Sequence, residues 1–152
     1  MKHLVLTRPL ALFDLETTGT DVRTDRIVEV CVVRIEPDGT RETRTRRINP
    51  ERPIPPGATA VHGITDEDVR EEPTFRQIAR GLLDLMEGAD LAGFNVRRFD
   101  VPLLERELRD SGLELGTTDR RVVDAMTIFH RKEPRDLSAA SRFYLDREHE
   151  GA

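Results

Sequence analysis

The chain has 152 residues, with 24 Lys and Arg against 29 Asp and Glu for a formal charge of −5 at pH 7, 37% hydrophobic residues and a single cysteine. Such a length suits one domain around one core, and the apolar periodicity along most of the chain excludes a disordered protein. The lone cysteine excludes disulfides and thiolate zinc sites, and no apolar run approaches the ~20 residues that span a bilayer.

A cytoplasmic protein is expected, because the N-terminus also lacks the apolar core of a secretory signal. The first element, Leu10-Ala11-Leu12-Phe13-Asp14-Leu15-Glu16-Thr17-Thr18-Gly19, is an apolar run that ends in two acids separated by one residue. It reads as a buried strand carrying its acids to an edge. Side chains alternate along a strand, so Asp14 and Glu16 project from one face, near enough for their oxygens to share a divalent cation. Similar spacings at Glu36/Asp38, Asp66/Asp68, Glu105/Glu107 and Glu148/Glu150 fall in turns, helix starts, helix surfaces or the polar tail. Asp14 and Glu16 instead follow apolar residues, where two like charges are costly unless something positive compensates. The simpler reading is a strand end whose acids just reach solvent.

Arg26 to Ile35 and Arg41 to Ile48 are β-rich and joined by Pro37-Asp38-Gly39-Thr40, a turn with φ fixed at Pro37 and positive φ tolerated at Gly39, so a hairpin is predicted. Cys31, in the apolar stretch from Ile27 to Ile35, is read as a small buried hydrophobe. Arginines cluster at Arg41, Arg44, Arg46 and Arg47, at Arg97 and Arg98, and at Arg131 and Arg135, with forked donors that suit phosphate oxygens. The first cluster is read as a solvated strand face. An acidic chain can still act on a polyanion when bound cations, rather than its surface, meet the phosphate.

Asn49 to Gly57 contains four prolines and is predicted as a surface loop, with a short helix starting in Ala60-Val61-His62-Gly63-Ile64-Thr65. Thr65 with Asp68 resembles a capping pair, and Thr74 with Gln77 a stronger one, ahead of Phe75, Ile78, Ala79, Leu82 and Met86 at helical spacing. Gly88 ends that helix. Asp90 to Asn95 is predicted as a brief strand, Asp100 to Ser111 as a helix with Pro102 in its first turn and Gly112 past its end, and Val122-Val123 as a short strand. Asp136 is placed as the cap of a last helix carrying Leu137, Ala140, Tyr144 and Leu145 on one face. A hairpin meander followed by alternating strands and helices gives an α/β layered domain. Its mixed central sheet combines antiparallel and parallel strands and is flanked by helices.

A strand end meets a helix start at Gly93-Phe94-Asn95-Val96-Arg97-Arg98-Phe99-Asp100, which can bring a third carboxylate to the edge that holds Asp14 and Glu16. Asp100 could equally serve only as a helix N-cap. His62 reads first as a structural hydrogen-bonding group and second as a ligand or base. Asp124 reads first as the cap of a following turn, and His130 as a surface residue.

Asp14-Leu15-Glu16 together with Asn95-x-x-x-Phe99-Asp100 resembles the first two motifs of the DnaQ-like, DEDD-type 3′-5′ exonuclease family. The resemblance extends to Asp14 through Gly19, to Ala60 through Thr65 and to the element order of nearly the whole chain. It is closest to the histidine-type subgroup related to the proofreading subunit of bacterial DNA polymerase III. It implies a ribonuclease H-like fold and removal of nucleotides from a 3′ end of DNA or RNA with two magnesium or manganese ions. By this resemblance Asp14 bridges both ions, Glu16 binds the water-activating one, and Asp100 holds the second through a water. Thr17, Thr18 and Gly19 then border the terminal nucleotide, Asn95 and Phe99 support the strand end and the base, and His62 is a secondary candidate. Phe99 reads equally well as a core residue, and Gly19 either as a close-approach site or as a plain turn glycine. The implied partners are a nucleic-acid 3′ end, single-stranded or frayed, and a DNA polymerase; no membrane partner is expected.

The third motif of that family, a general-base histidine followed five residues later by an aspartate, is absent, since five residues beyond His149 lies past Ala152. A Glu-His-x-x-Ala segment such as Glu148 to Ala152 often directly precedes that histidine in related proteins. The expectation is one exonuclease domain over residues 1–152, incomplete at its C-terminus. Loss of general-base help worth typically about 10²–10⁴-fold would leave the chain as written impaired, and a family-like tail is expected to restore it. Two other readings stand beside this one. A noncatalytic nucleic-acid-binding or polymerase-associated module would bind regardless of Asp14→Ala or chelators. A metal-dependent phosphohydrolase of small nucleotides would favour nucleoside monophosphate esters over oligonucleotides.

Overall fold

The computed structural model describes residues 5–132, with the backbone alone described for residues 129–132. Five strands form one sheet: β1 (Leu10–Thr17), β2 (Ile27–Ile35), β3 (Arg41–Arg47), β4 (Asp90–Gly93) and β5 (Val122–Asp124), in the order β3-β2-β1-β4-β5. Pairing is antiparallel from β3 through β2 to β1, and parallel from β1 through β4 to β5. Connection length accounts for the difference. The tight turn before Arg41, with Gly39 at φ 89°, returns the chain antiparallel, whereas β4 and β5 are reached only through long helical crossovers. The sheet is mixed, as predicted.

Helices α1 (Pro56–His62), α2 (Asp66–Val69), α3 (Phe75–Leu85), α4 (Asp100–Asp110) and α5 (Ala125–Lys132) complete the described residues. Along β1, Ala11, Phe13 and Leu15 are buried; with Val30, Val32 and Leu91 they pack against Phe75, Ala79, Leu82 and Met86 and against Leu103, Leu104 and Leu108. Each such Val, Leu, Phe or Met side chain contributes about 1.5–3 kcal/mol by leaving water. The alternate phase of β1 carries Leu12, Asp14 and Glu16, so packing of the core turns both acids to the opposite face.

Between Glu16 and Thr17 the register with β2 slips, so that Glu16 faces Glu29 and Thr17 faces Ile27. Val28 is the extra residue of this bulge, and it is buried in a second small core with Ile54, Ile64 and Val69. That cluster fastens the segment containing α1 and α2 to the sheet next to Glu29, the cross-strand partner of Glu16.

The predicted caps form: Asp68 Oδ2 accepts the Thr65 N–H at 2.9 Å and Gln77 Oε1 accepts the Thr74 N–H at 2.9 Å. Strand β3 is exposed throughout, in keeping with a solvated arginine face, and charges along an edge strand discourage pairing with other chains. Several expectations need correction. The first helix begins at Pro56 rather than near Ala60, because proline at a first helical position is preset in φ, and it ends where Gly63 takes φ 76°. The strand predicted to Asn95 stops at Gly93, since Asn95 is left-handed at φ 59°. Cys31 is half-buried rather than core, because the phase that buries Val30 and Val32 turns it outward opposite Asp14, where its Sγ accepts the Thr45 hydroxyl at 3.4 Å. The unforeseen α5 starts where Asp124 Oδ1 accepts the Met126 N–H at 3.0 Å. The side chain of His130, the helix placed after Asp136 and the Glu148 to Ala152 segment lie outside the described residues.

Candidate metal centre and substrate cleft

Strand β4 pairs with β1 only from Leu10 to Leu12, so β1 runs on past its neighbour and leaves the N–H of Leu15 without a strand partner on that side. Asp100, at the first turn of α4, fills the gap: its Oδ1 accepts the Leu15 N–H at 3.1 Å. The carboxyl group that follows Phe99 therefore docks on the one residue between Asp14 and Glu16.

Two anchors hold α4 in that position. At its start, Asp124 on β5 accepts the N–H groups of Asn95 at 2.9 Å and Arg97 at 3.2 Å, fixing the turn that leads from β4 into the helix. Gly93 makes that turn possible, because a Cβ there would lie 2.7 Å from the Phe13 carbonyl oxygen and would collide with Val96. Farther along α4, Glu107 is 1% exposed and accepts Arg26 Nε at 2.7 Å and the Ile27 N–H at 3.4 Å, which ties the helix to the start of β2. Arg106 donates to the Asp25 carbonyl in the same region.

A cleft of about 460 Å³ opens beside Glu16, walled by Thr17, Thr18, Gly19, His62 and Phe99 together with apolar Pro55, Ala58 and Val61. Five of the six residues singled out as nucleotide contacts thus share one cavity. Asn95 does not join them; it serves the β4–α4 turn through its left-handed backbone and its bond to Asp124. Phe99 does both things weighed for it, packing on the core and lining the cleft. His62 Nδ1 accepts the Ile64 N–H at 3.1 Å, so the ring proton sits on Nε2, which donates to the Thr17 carbonyl at 3.1 Å. Both ring nitrogens are engaged with backbone, and the imidazole splices the end of α1 to the end of β1. The Thr17 hydroxyl donates to Gly19 O at 2.6 Å and the Thr18 hydroxyl to Asp25 Oδ1 at 2.8 Å.

The acids form one electrostatic unit. Asp100 is 4% exposed, and burial first, then the charge of Asp14, push its carboxyl from an ordinary 3.8 to about 6, against the opposing Leu15 bond. Glu16 is raised above its ordinary value, first by burial and then by Asp14, with Glu29 adding to the rise. Among the described residues, every ion pair of Lys, Arg or His goes to other acids, so no basic side chain neutralises Asp14, Glu16 or Asp100. Arg47, beside Glu29 at 3.3 Å, is bound one strand away. Uncompensated carboxylate oxygens against a half-buried sheet face suit a hard divalent cation such as magnesium or manganese, and in donor chemistry these residues fit one. Among the described residues no three His, Cys, Asp or Glu side chains are gathered closely enough to enclose an ion in this geometry. The three acids surround Leu15 with their carboxyl groups apart.

Sequence reasoning missed Asp25, which braces Thr18, and the Arg26–Glu107 pair. Asp25 left no signal, because its contact closes across a loop without regular spacing. Glu107 did leave one: it falls with Leu103, Leu104 and Leu108 on the buried stripe of α4, and an acid in an apolar stripe calls for a buried cation.

Comparison with known proteins places the chain. The model of the exonuclease family named for RNase T matches residues 12–149. DNA polymerase III subunit epsilon of Haemophilus influenzae is 35% identical over 117 residues, covering 71% of this chain and 44% of that protein. The 3′-5′ exonuclease DinG of Bacillus subtilis is 30% identical over 118 residues, 77% of this chain and 12% of that one. The chain thus spans less than half the length of these relatives. Among solved structures, exonuclease I in a product-bound state superposes with a TM-score of 0.76 at 18% identity, over 88% of this chain and 36% of that chain, a likeness of fold alone. The ribonuclease H-like sheet and its helices, read with the family match over residues 12–149, establish that this chain belongs to the DnaQ-like exonuclease family.

Proposed function

We propose that the chain is the catalytic domain of a 3′-5′ exonuclease that hydrolyses the terminal phosphodiester of a nucleic acid, with Asp14, Glu16 and Asp100 holding two magnesium or manganese ions. The observation that carries this reading is the bond from Leu15 N–H to Asp100, which sets a buried, uncompensated carboxyl on the residue between two strand-borne acids, of which Glu16 lines the cleft. When such ions are bound, the chemistry supplied is activation of a water and neutralisation of charge during in-line displacement at phosphorus.

The chain's own residues do the remaining work. Phe99, Val61 and Pro55 offer apolar surface on which a base and sugar can pack, while Thr17, Thr18 and Gly19 form a wall whose hydroxyl protons are already spent within the loop. That wall positions by shape, which suits removal of any nucleotide. Likeness to epsilon subunits supports association with a DNA polymerase, and a cytoplasmic setting accords with the absence, among the described residues, of a helix long and apolar enough to cross a membrane.

The open spacing of the acids favours a second reading, a noncatalytic nucleic-acid-binding module. One assay separates the two. The full-length encoded protein, given an oligonucleotide labelled at its 3′ end, is expected to release labelled nucleoside monophosphate only with magnesium or manganese, and Asp14→Asn is expected to abolish release. Binding without release, indifferent to chelator and to Asp14→Asn, would establish the second reading instead.

A further inference from the structure

We propose that Asp25, which lies behind the cleft and does not line it, is the positioning residue that sets the shape of its Thr17–Gly19 wall. This rests on the exonuclease reading of the cleft. The Asp25 carboxylate lies behind the wall and ties it to the loop that follows, accepting the Thr18 hydroxyl on Oδ1 at 2.8 Å and the Asp21 N–H on Oδ2 at 2.8 Å. It also fills the space that a side chain on residue 19 would take: a Cβ added to Gly19 would sit 2.5 Å from Oδ2 and 2.8 Å from Cγ. Gly19 does not have positive φ, so glycine at this position answers to the presence of Asp25 and not to backbone strain.

Asp25 is itself held on three sides. Its N–H donates to Asp21 O at 2.8 Å, its carbonyl accepts from Arg106 on α4, and the next residue, Arg26, is bound to the buried Glu107. The Arg26 N–H donates to Thr18 Oγ1 at 3.0 Å, closing the circuit from the wall through Asp25 to the helix that carries Asp100. Wall and Asp100 are thereby referred to one element, α4. A bound nucleotide sees the consequence as a fixed distance between the surface it packs on and the carboxylates that hold the ions.

The test uses the full chain and thymidine 5′-monophosphate as probe, with its Kd read from amide shifts of residues 17–19. Asp25→Ala is expected to weaken binding about tenfold, the scale of one charge-assisted hydrogen bond, while Mn²⁺ affinity stays within twofold. Gly19→Ala is expected to weaken binding in the wild-type background by displacing the carboxylate, and to add nothing in the Asp25→Ala background, where that space is empty; such coupling is absent for unconnected sites. Where activity is measured, the loss is expected in KM and not in kcat. Unchanged affinity in Asp25→Ala, or additive effects with Gly19→Ala, would overturn the proposal and leave the exonuclease reading standing. Should Asp25→Ala fail to fold, Thr18→Val, which removes only the bonded hydroxyl, must weaken the probe, and unchanged affinity there would overturn the proposal equally. Failure of the wild-type chain to bind the probe would instead remove the reading of the cleft, and this inference with it.

Discussion

Replacing Asp100 with asparagine separates the charge of that side chain from its shape. The amide keeps an oxygen that accepts the Leu15 N–H but carries no proton equilibrium. At pH 8 the wild-type carboxyl is ionised in both the folded and the unfolded chain, so folding moves a charge into a place where burial and Asp14 oppose it. The folded value of about 6 against an ordinary 3.8, at about 1.4 kcal/mol per pH unit, sets that cost at about 3 kcal/mol. Because the folded pKa is the higher one, the cost is absent below about pH 3.8, grows between 3.8 and 6, and is constant above.

Without divalent ions, Asp100→Asn is therefore expected to be the more stable protein at pH 8, by up to about 3 kcal/mol or roughly 6–12 °C in Tm, with the gap closing towards pH 4. Adding Mn²⁺ should stabilise the wild type and not the variant, since only an ion-competent site gains from the ligand. Thermal melts across pH, in EDTA and then in Mn²⁺, measure both effects. A stability gap that does not vary with pH, or a variant less stable than wild type at pH 8, would refute the claim that Asp100 is a buried charge held for use. A stability gained at the expense of function is common where acids are gathered for catalysis.

Gly93→Ala is expected to cost at least about 1–3 kcal/mol, because the clash with the Phe13 carbonyl is with backbone that cannot turn aside; urea unfolding should show a lower midpoint with an unchanged slope. Glu107→Ala strips the partner from Arg26, whose side chain keeps 27% exposure, so the loss falls at the low end for a broken buried pair, about 3 kcal/mol by thermal melt. His62→Phe leaves the Thr17 carbonyl and the Ile64 N–H unpaired. It should cost about 1–3 kcal/mol and weaken nucleotide binding at the cleft.

The apolar run from Leu10 to Phe13, ending in Asp14-Leu15-Glu16, carried the strand and the shared direction of its acids, because side-chain alternation is written in neighbouring residues. The turn at Gly39 and the capping side chains of Asp68 and Gln77 were legible for the same reason: each bond closes within a few residues. What escaped were contacts that close through space. Nothing near Asp25 announces that its carboxylate fills the vacancy at Gly19, and nothing near Asp100 announces that β1 overhangs β4 and leaves the Leu15 N–H to be met. Cys31 went astray because an apolar strand reads as buried on both faces when its neighbours are apolar, whereas in this part of β2 only the phase of Val30 and Val32 is buried among the described residues. The prolines of the segment before Gly57 hid α1, since proline breaks a helix within but starts one at its first position.

Titration of Mn²⁺ followed by electron paramagnetic resonance tests most directly whether the carboxyl groups around Leu15 act as one metal centre. Wild type is expected to bind Mn²⁺, with Asp14→Asn and Asp100→Asn each raising the Kd at least about tenfold and Cys31→Ser leaving it unchanged. Equal affinity in wild type and Asp100→Asn would contradict the account, because the helix-borne acid would then be no part of the site that the strand presents.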